Sequence, residues 1–215
     1  MMNIKSNEII RFSELAVREE LTISSILYNN IDSLILFRNA SNTEISAEYY
    51  NYLKFYLVLK GEVLITEANN KTILKEFDII GMDKNTLYKI DNIKDSIYFE
   101  FNLEGEGNMN KKIIENKFNV KDLLDYEDGS IVNLNLSTTD KTSISLMAFD
   151  KGQGLTEHKA PGEALLTIVD GTCILGYEGV EYTLHAGDSF GFKKGGRHYL
   201  KAIEQFKMVL ILEKE

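Results

Sequence analysis

The sequence is poor in the residues that most often carry chemistry or cross-links. Its 215 residues include one cysteine, one proline, no tryptophan and three histidines. The single Cys173 excludes an intramolecular disulfide and a cysteine-based metal cluster, and its apolar neighbours predict a buried side chain. Any histidine-based site must therefore be built from His158, His185 and His198.

Positive charge and long apolar runs are also scarce. The formal net charge is −9, which opposes binding to phosphate backbones and to anionic membrane surfaces. No run approaches the roughly 18 apolar residues of a membrane-spanning helix, and the N-terminal MMNIKSNEIIRFSEL lacks the apolar centre of a signal peptide. The sequence predicts a cytoplasmic protein with no nucleic-acid partner and no membrane partner.

What the chain does contain is an internal repeat. Residues separated by 110 positions (171 − 61 = 110) agree in identity or in apolar character, as FYLVLKGEVLI does with LLTIVDGTCIL. A fixed offset of this size indicates two copies of one structural unit. Identical pairs at this offset include Ser33 and Ser143, Leu36 and Leu146, Gly61 and Gly171, Leu74 and Leu184, Asp78 and Asp188, Gly81 and Gly191, Lys84 and Lys194, and Ile93 and Ile203.

Each copy is typical of an antiparallel β-structure. Short runs of β-branched and aromatic residues alternate with turn residues such as HAGD and KKGG, which favours a sandwich or barrel over a parallel sheet. Apolar residues at helical spacing predict one short helix ahead of each copy, at Arg11–Leu21 and Phe118–Gly129. The predicted domains are residues 1–105 and 118–215, joined by a linker at 106–117.

The repeat resembles the cupin superfamily, whose two motifs are written G-x5-H-x-H-x3,4-E-x6-G and G-x5-P-x-G-x2-H-x3-N. His158 and Gly171 match the first motif, and Gly187, Gly195 and His198 match the second. Because the duplication spans most of the chain, the sequence resembles a bicupin. The resemblance implies an all-β fold of two tandem antiparallel jelly-roll barrels, each following its short helix.

The family resemblance also implies a metal held by three histidines and a glutamate, but this sequence departs from that pattern. Ala160 and Ala164 stand at the second-histidine and glutamate positions, and Glu163 lies one residue early. What remains is a set of two histidines and one carboxylate, His158, His198 and Glu163. Such a set suits a divalent metal, either iron, zinc, nickel or manganese.

Strand geometry argues against Glu163 as a metal ligand. Side chains alternate along a strand, so Glu163 faces away from the side of His158 unless Pro161 and Gly162 introduce a bulge. The alternative is a site without a metal, in which the two imidazoles of His158 and His198 hydrogen-bond to each other, to water or to a tyrosine.

The first copy contains no histidine. Glu48 and Tyr88 stand at the positions that correspond, 110 residues earlier, to His158 and His198. A transition-metal site of the cupin type is excluded there. Its barrel could bind a polar organic ligand through Glu48, Tyr50, Lys54 and Tyr88. The competing interpretation is a structural ion pair between Glu48 and Lys54.

The sequence thus predicts a bicupin that binds a small polar molecule around His158, His198 and Tyr199, with or without a metal. Two alternatives stay open. One is a metal-dependent enzyme of oxygenase or isomerase type, and the other is a structural or partner-binding barrel without an active site. Exposed sheet edges are compatible with a homodimer.

Overall fold

The chain forms an all-β structure of two compact units. The computed structural model describes residues 8–17, 22–26, 34–103, 107–110, 112–113 and 116–214. One unit contains Ser13–Asn119, and the other contains Val120–Glu215 together with the N-terminal segment that ends at Phe12. The predicted linker at 106–117 falls partly outside the described residues.

Nineteen strands and two 3-10 helices account for most of the described residues. The 3-10 helices cover Phe12–Glu14 and Val120–Asp122. In chain order the strands are β1 (Ile9–Ile10), β2 (Thr22–Ile26), β3 (Leu34–Asn39), β4 (Glu44–Glu48), β5 (Leu53–Lys60), β6 (Val63–Glu67), β7 (Asn70–Leu74), β8 (Asp78–Met82), β9 (Tyr88–Asn92), β10 (Ser96–Leu103), β11 (Gly107–Met109), β12 (Phe118–Asn119), β13 (Ile131–Thr139), β14 (Thr142–Phe149), β15 (Gly154–Lys159), β16 (Ala164–Tyr177), β17 (Val180–His185), β18 (Ser189–Phe192) and β19 (Arg197–Glu213).

The first unit packs two antiparallel sheets around one core. The larger sheet has the strand order β12-β8-β5-β10-β3-β2, and the smaller has the order β4-β9-β6-β7. Every residue of this central strand, β10, is buried, including the polar residues Ser96, Glu100 and Asn102. The buried cluster draws on both sheets and contains Tyr56, Val58, Val63, Ile65, Leu74, Ile80, Met82, Tyr88, Ile90 and Tyr98.

The second unit is organised by its two longest strands. β16 and β19 pair antiparallel over two stretches separated by register shifts, Ala164–Gly171 with Phe206–Leu212 and Cys173–Tyr177 with His198–Ala202. The strand order is β1-β18-β16-β19-β14-β13, with β15 paired to β19 and β17 paired to β16. In the described residues these pairings leave sheet edges and do not close a barrel. Cys173 is buried in this core, as predicted.

The predicted second helix is not formed. Residues 118–119 belong to a strand, and only Val120–Asp122 is helical, as a 3-10 turn. An isolated helix of this length is marginal in water, and tertiary contacts hold the segment in another conformation. Val120 is fully buried, and the Tyr126 hydroxyl donates to the Asp170 carboxylate at 2.8 Å.

The predicted first helix is shortened in the same way. Over Arg11–Leu21 only Phe12–Glu14 is helical among the described residues, and 18–21 lie outside them. Phe12 is almost fully buried and anchors this turn. Across the described chain no helix is long and apolar enough to span a membrane.

Candidate functional site

Two histidines that are distant in sequence meet on neighbouring strands of the second unit. The strand register pairs His158 of β15 with His198 of β19, and the centroids of their rings are 4.2 Å apart. His158 is exposed, whereas His198 is 9% exposed. The structure therefore brings together the two histidines that the sequence assigns to one site.

Backbone carbonyl groups set the tautomer of both rings. Nδ1 of His158 lies 2.8 Å from the carbonyl oxygen of Thr156, and Nδ1 of His198 lies 3.2 Å from that of Gly196. A carbonyl oxygen only accepts, so Nδ1 carries the proton in each neutral ring. Nε2 is then left with a lone pair on both rings, and the pair can accept hydrogen bonds or ligate a cation.

The histidines border a cavity of about 320 Å³, called here the histidine cavity. Its polar lining residues are His158, Lys159 and His198, and the remaining lining is apolar. The apolar residues are Leu155, Ala160, Pro161, Ala164, Leu166, Phe192, Leu200, Met208, Leu210 and Leu212. This lining favours a ligand with more apolar surface than the small polar molecule that the sequence predicts.

The environment of His198 keeps its ring neutral. Burial lowers the pKa of His198 below the ordinary value of 6.5, and the adjacent His158 lowers it further. The hydrogen bond to Gly196 acts in the opposite direction but is outweighed. The cavity therefore presents an uncharged imidazole at neutral pH.

This lowered pKa predicts a loss of stability in acid. The unfolded chain protonates His198 more readily than the folded chain, so the stabilising contribution is complete above about pH 6.5 and is lost as the pH falls through the lower folded value. Urea denaturation of the wild type and of His198→Phe from about pH 5 to about pH 8 measures this contribution. The variant is expected to lose part of the pH dependence, and identical profiles would contradict the assignment.

Tyr199, which the sequence assigns to ligand binding, is not among the residues that line the histidine cavity. Its neighbours His198 and Leu200 both line the cavity, and alternation along β19 directs the side chain between them to the opposite face. The Tyr199 hydroxyl instead donates to the carboxylate of Glu181.

Glu163 also lies outside the lining. It precedes Ala164, which does face the cavity, so the alternation predicted from the sequence holds on this side of the kink. The backbone carbonyl of Glu163 accepts a hydrogen bond from the amide of Glu213 at 2.9 Å. Pro161 and Gly162 interrupt the strand between β15 and β16 without bringing the carboxylate to the histidines.

These positions do not fit the metal set of His158, His198 and Glu163. Two imidazole Nε2 atoms are suitable donors, but a catalytic metal site usually has three protein ligands. In the described part of the chain no three histidine, cysteine, aspartate or glutamate side chains form a group that could hold a metal ion.

The first unit contains a larger cavity of about 410 Å³, called here the tyrosine cavity. Its lining includes all four residues that the sequence assigned to this pocket, Glu48, Tyr50, Lys54 and Tyr88. The other lining residues are Ile35, Phe37, Ile45, Ser46, Tyr52, Tyr56, Ile90, Glu100 and Asn102.

The ion pair of this cavity differs from the predicted one. Nζ of Lys54 lies 2.9 Å from Oε1 of Glu100, and both side chains are buried. Glu48 is exposed and accepts a hydrogen bond from the Tyr50 hydroxyl. Nζ of Lys54 also lies 3.3 Å from the centroid of the Tyr50 ring, a cation–π contact. Lys54 therefore pairs with Glu100 and not with Glu48.

Two tyrosine hydroxyls extend this polar cluster. The Tyr56 hydroxyl donates to Oε2 of Glu100 at 3.0 Å, and the hydroxyl oxygens of Tyr56 and Tyr88 are 2.6 Å apart. Burial, assisted by the Glu100 carboxylate, raises the pKa of both tyrosines above the ordinary value of 10.0. Both hydroxyls therefore stay protonated.

Tyr56, Glu100 and Asn102 were not predicted from the sequence, but the repeat relates them to lining residues of the other cavity. Adding 110 to their numbers gives Leu166, Leu210 and Leu212, which all line the histidine cavity. The same offset relates lining residues of both cavities at nine positions. The remaining six pairs are Ile45 and Leu155, Glu48 and His158, Tyr50 and Ala160, Lys54 and Ala164, Tyr88 and His198, and Ile90 and Leu200.

Comparisons with known proteins indicate the same superfamily. Residues 145–212 match the family model of the cupin domain. The chain is similar over its whole length to the whole of a cupin 2 conserved barrel domain protein from Leptotrichia buccalis, with 28% identity and a TM-score of 0.86. No curated protein sequence matches the chain.

More distant solved structures share the fold. Protein Ylba from E. coli is 11% identical, with a TM-score of 0.64 over 98% of this chain and 92% of that protein. A salicylate 1,2-dioxygenase from Pseudoaminobacter salicylatoxidans is 10% identical, with a TM-score of 0.63 over 88% of this chain and 74% of the enzyme. At these identities the likeness concerns the fold alone.

Proposed function

Because residues 145–212 match the cupin-domain family model, we propose that this chain is a cupin-domain protein whose second unit binds a small molecule in the histidine cavity. The observation that carries the proposal is the position of His158 and His198 beside an apolar cavity of about 320 Å³. Binding pockets of this kind combine an apolar lining with a few convergent polar groups. Here the two imidazoles are those groups.

The lining selects an apolar ligand with one hydrogen-bond donor. Because the hydrogen bonds to Thr156 and Gly196 place the proton of each neutral ring on Nδ1, each Nε2 can accept a hydrogen bond from a ligand. A hydroxyl group on an apolar body satisfies one such acceptor and leaves the rest of the ligand against leucine, methionine and phenylalanine side chains. A cationic ligand would lose its hydration without a paired counter-charge, because the charged residue of this lining is Lys159.

We also propose that the two units are copies of one repeat. Left-handed backbone conformations, which most side chains avoid, occur at positions related by the same offset of 110. The pairs are Asn42 and Gly152, Gly61 and Gly171, Ala68 and Glu178, Phe77 and Gly187, and Asn85 and Gly195. The register pair of His158 with His198 likewise corresponds to that of Glu48 with Tyr88. These correspondences support two cupin repeats, of which the second keeps a reduced histidine motif.

Phenol and toluene provide a matched pair of ligands to test the proposal, since they differ by a hydroxyl in place of a methyl group. We expect phenol to bind about tenfold more tightly, the value of one hydrogen bond of roughly 1.4 kcal/mol. Isothermal titration calorimetry with and without a chelator measures both affinities. A loss of phenol binding on chelation would favour the metal-dependent alternative.

Two variants and one control locate the binding. Ala164→Leu fills the cavity and is expected to abolish binding of both ligands, whereas the double variant His158→Phe/His198→Phe should remove only the preference for phenol. Tyr199→Phe, on the opposite face of the same strand, serves as the control and should bind as the wild type does. Unchanged binding in Ala164→Leu would overturn the proposal, and circular dichroism establishes that each variant is folded.

A further inference from the structure

The tyrosine cavity contains polar groups that the function proposed for the second unit does not use. Lys54, Glu100 and Asn102 are 3%, 5% and 7% exposed, and all three line the cavity. Their counterparts in the histidine cavity are Ala164, Leu210 and Leu212. A fold that can form this core from alanine and leucine has no structural need for buried polar residues here.

The hydrogen bonds within the cavity determine which polar groups remain available to bind a ligand. The carboxylate of Glu100 only accepts, so the Tyr56 hydrogen goes to Glu100 and the Tyr88 hydrogen must go to Tyr56. The oxygen of Tyr88 is left as an acceptor. The hydroxyl hydrogen of Tyr50 is directed to Glu48. The Tyr50 oxygen and the Glu48 carboxylate therefore also have lone pairs that can accept hydrogen bonds from a ligand.

Asn102 adds an acceptor with no partner. Its Oδ1 atom is buried and has no hydrogen-bond partner in the part of the chain that the structure describes. A buried polar atom without a partner costs about 1–3 kcal/mol, and such atoms are uncommon in native proteins. A ligand hydroxyl in this cavity supplies the donor that Asn102 lacks.

The charges of the cavity disfavour an anionic ligand and offer a cation only the exposed carboxylate of Glu48. The buried charges of Lys54 and Glu100 are paired at 2.9 Å, and Glu48 adds an exposed carboxylate. A ligand anion would meet two carboxylates, and a ligand cation would meet the Lys54 ammonium group that already lies on the Tyr50 ring. An uncharged ligand avoids both conflicts.

We propose that the tyrosine cavity is a second binding site, specific for a small, uncharged, polyhydroxylated molecule. Several hydroxyl groups donate to Asn102, Tyr88 and Glu48, and the Lys54 ammonium donates in return. Tyr50 and Tyr52, whose ring centroids are 5.5 Å apart, also line the cavity and would contact the C–H groups of a cyclic polyol. The volume of about 410 Å³ admits a single ring of this kind.

Isothermal titration calorimetry with myo-inositol, D-glucose, L-arabinose and glycerol tests the proposal, with choline and benzoate as charged comparators. We expect at least one polyol to bind with one-to-one stoichiometry and neither ion to compete with it. Tyr88→Phe and Asn102→Leu should each weaken that binding about tenfold. Tyr199→Phe is the matched control for the loss of a tyrosine hydroxyl and should bind as the wild type does.

Thermal unfolding distinguishes a variant that no longer binds the polyol from a variant that no longer folds. Asn102→Leu removes an unpartnered buried oxygen, so the thermal midpoint of the free protein should be unchanged or raised while the shift caused by the polyol disappears. The proposal is overturned if no polyol binds, if both variants bind as the wild type does, or if only choline or only benzoate binds. Each outcome is independent of phenol binding in the second unit.

Discussion

Lys54→Met is expected to lower the free energy of unfolding by about 3–5 kcal/mol. The substitution removes the ammonium group that lies 2.9 Å from Glu100 and leaves a carboxylate buried in the core of the first unit. An unpaired buried charge costs more than the ion pair itself contributes. Urea denaturation followed by circular dichroism measures the loss.

The double variant Lys54→Met/Glu100→Leu is the control for this prediction. Replacing both partners of a buried ion pair by apolar residues is often neutral or stabilising, and the second unit already has Leu210 at the position that corresponds to Glu100. The second substitution is therefore expected to restore most of the stability. A double variant that is less stable than Lys54→Met would contradict this account, because it would show that Glu100 stabilises the core without Lys54.

Gly171→Ala is expected to destabilise the second unit by about 3 kcal/mol or more. Gly171 has a φ of +70°, and an added Cβ atom would lie 2.0 Å from the carbonyl oxygen of Gln205. The alanine thus combines an unfavourable backbone conformation with a clash against β19, the strand that carries His198. Thermal and urea unfolding of the variant measure the combined cost.

The variant Gly179→Ala separates the cost of the backbone conformation from the cost of the steric clash. Gly179 has a φ of +83°, but nothing lies within 4 Å of its added Cβ atom, so only the conformational cost of about 1 kcal/mol applies. If the two alanine variants are equally stable, the close approach of Gln205 to Gly171 is not a constraint on the fold.

Local patterns predicted the part of the site that depends on strand alternation and on the repeat. The motif spacing brought His158 and His198 into one hypothesis, and they are register partners in the structure. Alternation also predicted that Glu163 would face away unless the kink intervened, and its side chain does not line the cavity. Assigning Tyr199 to the ligand neglected the same rule, because it directly follows His198.

The remainder depends on tertiary contacts that no local pattern records. Glu100 lies within SIYFEFNL, a strand whose residues are all buried, and its role becomes visible only when the neighbouring strand places Lys54 beside it. The helix expected over Phe118–Gly129 has the right apolar spacing but is replaced by a 3-10 turn. The hydrogen bond of Tyr126 to Asp170 and the burial of Val120, both within the second unit, stabilise that conformation.

The left-handed positions have a consequence for experiments on either cavity. Asn42, Phe77 and Asn85 adopt the same turn conformation as Gly152, Gly187 and Gly195, so the surrounding strands fix these turns whether or not glycine is present. The two units can therefore be compared position by position at these turns. Each cavity is an internal reference for the other, in one polypeptide and under one set of solution conditions.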